Sequence, residues 1–227
     1  KRGEPRNKPP YPGSRGLWEK PTLINNVETF AMVPAILKKG AEWWKCQGMR
    51  GHHGLKVMAV SGDVERPGVY EIPMGTTVAE LIQMAGGVKG GKRLKAFAPG
   101  GASSAFLPAD KTGVEIDFAS VQAAGSMLGS GALVAVAEGT DMLGVAANVV
   151  RFFRNESCGK CVPCRTGTQK VVEMLDQILA GKGNGRLREV LPGLEETLAQ
   201  TSICGLGQVA LNPLTSVLKA WPEVLNR

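Results

Sequence analysis

Glu156–Gly167 reads ESCGKCVPCRTG. Cys158, Cys161 and Cys164 stand there at strict three-residue steps, in a chain that has five cysteines in all. Thiolates at i, i+3 and i+6 cannot all serve one centre from a straight helix, because each three-residue step turns the helix by about 300°. The segment is therefore expected to wrap, with Gly159 and Pro163 permitting the bend, so that three sulfurs reach three corners of one centre. This is the step pattern of thiolate ligands to a cubane iron–sulfur cluster. Zinc is the competing reading, but structural zinc sites usually come as two separated knuckles, and the two histidines, His52 and His53, lie far away in sequence.

Cys204, in SICGLG, follows Cys164 by forty positions (204 − 164 = 40). Two helical patterns fill the interval, so the chain can return and supply a fourth sulfur. Cys158, Cys161, Cys164 and Cys204 are thus read as the ligands of one 4Fe–4S cluster. Lys160 and Arg165 beside the loop would raise its potential by stabilising the reduced state, with simple solvation as the alternative. Cys46, next to Trp43 and Trp44, reads as a buried thiol outside the site.

Residues 139–227 around this site read as helical. Asp141 caps a helix whose one side carries Leu143, Ala146, Ala147, Val150 and Phe153. Val171, Val172, Leu175, Ile178 and Leu179 form a second apolar stripe. Leu187, Val190, Leu191, Leu194 and Leu198 form a third, which Pro192 is expected to kink or restart. Pro213 opens a last helix. Four short amphipathic helices with short links predict a four-helix bundle.

Residues 53–138 carry strand signals. LKVMAVSGDV and PGVYEIPMG predict two strands around a Pro-Gly turn. TTVAELIQMAGGV predicts a helix capped by Thr76 or Thr77 and stopped by Gly86-Gly87. KAFAPGG, SAFLP and GALVAVAE return as strands. The expectation is a small β-grasp-like domain with one helix; its glycine-rich PGGASSAF lacks the lysine and spacing of a P-loop and reads as turns. In residues 1–52, a Pro/Gly/basic opening precedes a helix capped by Asn25 or Asn26, with Val27, Phe30, Ala31 and Pro34 to Leu37 on its apolar face. The fold class is α+β.

The chain has 227 residues and a net charge of +7, with its basic residues scattered and not interleaved with aromatics, which argues against a nucleic-acid surface. The cluster KGGKRLK reads as a solvated loop. No run of about eighteen apolar residues would span a membrane. Five cysteines, four of them in the last seventy residues, do not form a secreted disulfide framework, so a reducing cytoplasmic compartment is expected. The opening has neither an initiator Met nor a signal sequence, and the chain is expected to be the later part of a longer polypeptide.

Together, ESCGKCVPCRTGT, SICGLGQVALNP and GLWEKPTLINNVET resemble the NADH-oxidising flavoprotein subunit of respiratory complex I, its diaphorase relatives in NAD-reducing hydrogenases, and the β-subunit of NAD-dependent formate dehydrogenases. CGLGQVALNPL is most similar to the soluble formate dehydrogenase or hydrogenase form. The resemblance implies that residues 1–52 are the tail of an FMN-binding α/β domain, 53–138 an SLBB domain and 139–227 the cluster-binding bundle. It implies that Asn25, Asn26 and Thr29 contact the phosphate and ribityl chain of FMN. Gly205 and Leu206 would lie between flavin and cluster, and Lys8 and Tyr11 would contact NADH. The implied partners are the iron–sulfur and catalytic subunits of an oxidoreductase complex. The family's glycine-rich FMN/NADH loop has no counterpart here, so this chain alone is expected to hold the cluster but not to perform hydride transfer. The rival reading is a zinc-stapled interaction module with no catalytic role.

Overall fold

The computed structural model describes residues 4–5, 7–183 and 186–226. Helix α1 (Val27–Lys39) is capped by Asn26, whose side chain accepts a hydrogen bond from the Thr29 amide at 3.1 Å. Pro34 is accommodated inside α1, and a short α2 (Ala41–Lys45) follows. None of the described side chains of α1 is buried. The expected apolar face exists, but Val27 and Leu37 are more than four-fifths exposed. Cys46, expected to be buried, is exposed at the end of α2. The reason is the same for both: burial depends on what packs from elsewhere, and Val27, Leu37 and Cys46 lie on sides that nothing among the described residues covers.

A five-stranded sheet comes next, built from β1 (Leu55–Gly62) and β2 (Gly68–Pro73) as an antiparallel hairpin. Helix α3 (Val78–Met84) follows, opened by a capping box in which Thr77 and Glu80 satisfy each other's backbone amides. Strands β3 (Leu94–Ala98) and β4 (Leu107–Pro108), helix α4 (Phe118–Ala123) and β5 (Ala132–Ala137) complete the unit. The strand order is β2-β1-β5-β3-β4, with β1 and β5 parallel at the centre and the other pairs antiparallel. The second helix, α4, goes beyond the single helix expected. It is six residues long, shorter than the window over which helical periodicity can be read, and its only signal is the Asp117 cap.

Side chains alternate across β3 and β5, as strand geometry requires. Phe97, Leu133 and Ala135 face one core with α3, while Ala96, Ala98 and Val136 face a second core with the carboxyl-terminal helices. The sheet is thus shared between two cores, and the second extends across residue 138.

That second core is closed by α5 (Met142–Glu156), α6 (Val162–Leu179), α7 (Leu187–Thr201), the short α8 (Gly205–Val209) and α9 (Asn212–Ala220). Asp141 caps α5 as expected, and Leu143, Ala146, Ala147, Val150 and Phe153 are all buried. Pro192 does not restart α7, which runs as one helix from Leu187 to Thr201. Its missing amide falls on the exposed side of the helix, where the freed carbonyl can meet water. Gly167 allows α6 and α7 to approach, since a β-carbon there would stand 2.4 Å from Leu198 Cδ1.

Candidate metal centre

The cysteine loop is only partly the wrapped segment expected. Gly159 turns it with φ +78°, a left-handed conformation that favours glycine. Pro163, however, does not bend the loop. It sits in the first turn of α6, where its missing amide is no loss, so that Cys161 is the residue preceding the helix and Cys164 already belongs to it. Arg165 returns from α6 to hydrogen-bond the Gly159 carbonyl and so fixes the loop's shape, while Lys160 is exposed. Cys204 stands directly before α8, a short helix whose glycines in CGLG conceal it from periodicity.

The four thiols come from three places: the loop (Cys158), the start of α6 (Cys161 and Cys164) and the start of α8 (Cys204). Burial pushes the Cys164 thiol up. A hydrogen bond with Ser157 Oγ at 3.3 Å opposes this, and the nearby Cys161, Cys204 and Cys158 thiols push it further up through their charge. The Cys161 thiol moves the other way. The backbone amide of Ile203 hydrogen-bonds it and lowers its pKa, against burial, with the amide of Cys164 adding to the effect. Ile203 adjoins Cys204, so the two cysteine-bearing segments meet at this hydrogen bond. The fold therefore brings the four thiols into one neighbourhood. It does so around Cys164, the buried one, with Cys158 and Cys204 towards solvent.

Three features favour a bulky acceptor over a compact ion. A tetrahedral zinc with sulfurs at about 2.3 Å would draw all of them to about 3.8 Å from one another. Among the described residues, no three of these thiols lie within 4.8 Å of each other. Ser202 Oγ is buried and, among the described residues, has no hydrogen-bond partner, at a cost of about 1–3 kcal/mol unless an acceptor arrives. Gly207 closes over the same spot: a β-carbon there would lie 2.4 Å from Ser202 Oγ and 3.0 Å from Cys164 Cβ. The donor set and its surroundings fit a sulfur-rich cluster. Sequence reasoning misses Ser157, Ser202, Ile203 and Gly207, although all lie within seven residues of a ligand; small residues beside a cysteine motif are the available signal.

Of the other predicted site residues, Gly205 and Leu206 adjoin the thiols and the rest do not. Asn25, Asn26 and Thr29 are exposed at the start of α1, where Asn25 Oδ1 accepts from the Asn26 amide at 2.7 Å. Between them, Glu28 reaches across to β1, pairing with the buried Lys56 and accepting from the Val57 amide at 2.7 Å. Asn26 and Thr29 line a groove of about 530 Å³ with Lys56, Trp44 and Phe118. Lys8 and Tyr11 are exposed ahead of α1, and Gly205 and Leu206 form the first turn of α8 beside Cys204.

Residues 144–227 match the NADH-ubiquinone oxidoreductase-F iron–sulfur binding region family, and residues 57–106 match the SLBB domain. Its relatives include HndC of the NADP-reducing hydrogenase of Solidesulfovibrio fructosivorans, 43% identical over 96% of this chain and 45% of the relative. The F component of the NADH-quinone oxidoreductase of Streptomyces coelicolor is 41% identical over 98% of this chain and 50% of the relative. Among solved structures, an NAD+-reducing [NiFe]-hydrogenase in the H2-reduced state superposes with a TM-score of 0.83 at 33% identity, covering 98% of this chain and 38% of the other. The chain spans about half the length of the curated relatives it matches.

Proposed function

We propose that this chain is the electron-transfer portion of an NAD(H)-oxidising flavin and iron–sulfur subunit, passing electrons between FMN and a 4Fe–4S cluster inside a multi-subunit oxidoreductase. The observation that carries this reading is the approach of Cys158, Cys161 and Cys204 to the buried Cys164 from three segments, near enough for their charges to act on it. When bound, the cluster supplies one-electron carriage and FMN accepts the hydride of NADH. The chain's own part is to hold and tune. The four thiolates bind; the Ile203 amide orients Cys161; Ser157 orients Cys164; and Ser202 offers its unpaired hydroxyl to the cluster's surroundings. Residues 139–227 form the cluster-binding bundle of four longer helices, α5, α6, α7 and α9, with the short α8 between the last two, and 53–138 the SLBB scaffold.

Residues 1–52 are, on this reading, part of an FMN- and NADH-binding domain whose remainder covers α1. The support is chemical: Leu23, Ile24, Val27, Phe30, Val33 and Leu37 expose apolar side chains in one short stretch, which soluble proteins ordinarily cover. Asn25, Asn26 and Thr29 would then face the FMN phosphate at a helix amino terminus, Gly205 and Leu206 would lie towards the flavin, and Lys8 and Tyr11 would contact NADH. The whole assembly works in the cytoplasm with iron–sulfur and catalytic subunits as partners, a soluble NAD-dependent formate dehydrogenase or hydrogenase being the form that CGLGQVALNPL resembles.

The test is made on the complete assembly. Addition of NADH should reduce both the flavin and the cluster of this chain, read by low-temperature electron paramagnetic resonance; flavin reduction with the cluster left oxidised would overturn the proposal. Asn26→Ala should lower flavin content and leave iron content unchanged. Retention of all flavin would remove Asn26 from the FMN site.

A further inference from the structure

His52, Glu115 and Asp117 meet at a second cluster of donor atoms, far from every cysteine ligand in sequence and beside the other core. His52 Nε2 lies 2.8 Å from Glu115 Oε2 and 3.8 Å from Asp117 Oδ2. One donor atom from each residue falls within 4.8 Å of the other two. The three arrive from two separate segments. His52 precedes β1, whereas Glu115 and Asp117 precede α4 and flank Ile116, which is fully buried in the sheet's core.

Each donor is held from behind. The His52 amide bonds the Met49 carbonyl at 3.0 Å, and its ring lies against Gly75, where a β-carbon would stand 2.7 Å from His52 Cδ2. The strand-like bridge between Thr77 and Glu115 fixes the backbone of Glu115. Asp117 Oδ1 accepts from the amides of Ala119 at 2.8 Å and Ser120 at 3.2 Å. Its Oδ2 has only a longer 3.3 Å contact with Ser120 and is the oxygen that approaches His52. Asp117 is thus anchored by backbone amides through one oxygen, as ligating carboxylates are, which leaves its other oxygen directed at the same Nε2 that Glu115 approaches.

We propose that His52, Glu115 and Asp117 form a mononuclear site for a late first-row divalent cation of the zinc type. The donor chemistry selects it. An imidazole nitrogen with two carboxylate oxygens suits zinc and its neighbours, whereas magnesium and calcium prefer oxygen alone. Two carboxylates and a neutral imidazole also match a divalent charge. Ligand bonds of about 2.0–2.2 Å in a tetrahedron place donors about 3.3–3.6 Å apart, between the 2.8 and 3.8 Å separations already present. Three protein ligands leave a fourth position for water. The bound ion ties the segment ahead of β1 to the loop ahead of α4, and its role is to fasten α1 and α2 to the SLBB unit. No reaction is assigned to it.

The test uses the full chain with its cysteine site loaded, so that thiols do not compete, and Co2+ as the probe. One equivalent should bind with visible d–d bands and no thiolate-to-cobalt charge transfer, and should raise the thermal transition. His52→Ala and Glu115→Gln should each weaken binding at least about tenfold while far-UV circular dichroism is unchanged. Asp117 is left intact because it also caps α4. Should His52→Ala misfold, Glu115→Gln alone decides. The proposal is overturned if the folded protein binds no cobalt, if binding brings thiolate charge transfer, or if Glu115→Gln binds as tightly as the wild type.

Discussion

Helices α1 and α6 are both amphipathic, yet α1 buries none of its side chains whereas α6 buries Val171, Val172, Leu175 and Ile178 along one stripe. Periodicity says that a helix has an apolar face. It does not say that the covering layer lies in the same chain. Around α6 the cover is supplied by α5, α7 and α8, and the cysteine loop and Cys204 are carried on the resulting frame. Around α1 the fastening is polar, through Glu28 to Lys56 and the Val57 amide, and the apolar side faces outward. The first region is self-sufficient, and the second has the surface of an interface.

The sharpest break of this contrast is Leu175→Ala. Leu175 is fully buried, so the substitution should cost about 2–5 kcal/mol in a denaturant titration. A cost below about 1 kcal/mol would mean that the helical core is not packed as described. Gly207→Ala should follow at about 1–3 kcal/mol, because the new methyl meets Ser202 and Cys164 at sub-van-der-Waals distances. It should also lower iron content, and normal iron content would show that Gly207 does not shape the site.

The SLBB unit provides a pH test. Hydrogen bonds from Arg50, and then from the Thr77 amide and hydroxyl, hold the Glu80 carboxyl down at about 2 from the usual 4.5. A depressed folded pKa contributes stability that is present above the ordinary carboxylate range and lost as pH falls towards 2. Glu80→Gln should therefore flatten the fall in melting temperature between about pH 4.5 and 2; an unchanged slope would remove the pair from the account. The smallest effect is expected from Leu37→Ala, within about 0.5 kcal/mol for this chain, because Leu37 is 81% exposed. A larger loss would show that α1 already has its cover.

Most of the carboxyl-terminal half is legible in the sequence because burial there follows a local rule. Leu143, Ala146, Ala147, Val150 and Phe153 recur at helical spacing, and all five are buried. Asp141 and Thr77 announce their helices through capping chemistry that depends on three or four residues. The four cysteines are legible from spacing, but how they meet is not. Pro163 reads as a bend and in fact starts a helix, since proline serves both purposes and only the tertiary path decides. Pro192 reads as a kink or a restart, yet α7 runs through it, with the proline on its exposed side. Cys46 reads as buried from its tryptophan neighbours, but burial is set by what packs from elsewhere, and nothing among the described residues covers it. The His52–Glu115–Asp117 cluster cannot be read at all, because it depends on residues brought together by the folded chain.

The central claim is that the four converging thiols hold an iron–sulfur cluster and are not a zinc staple. Iron, acid-labile sulfide and zinc should be quantified in anaerobically purified wild-type chain and in Cys204→Ser. The account predicts about four irons and four sulfides per wild-type chain, with loss of both in the variant. One zinc per chain with no sulfide, or an intact complement of iron in Cys204→Ser, would contradict it.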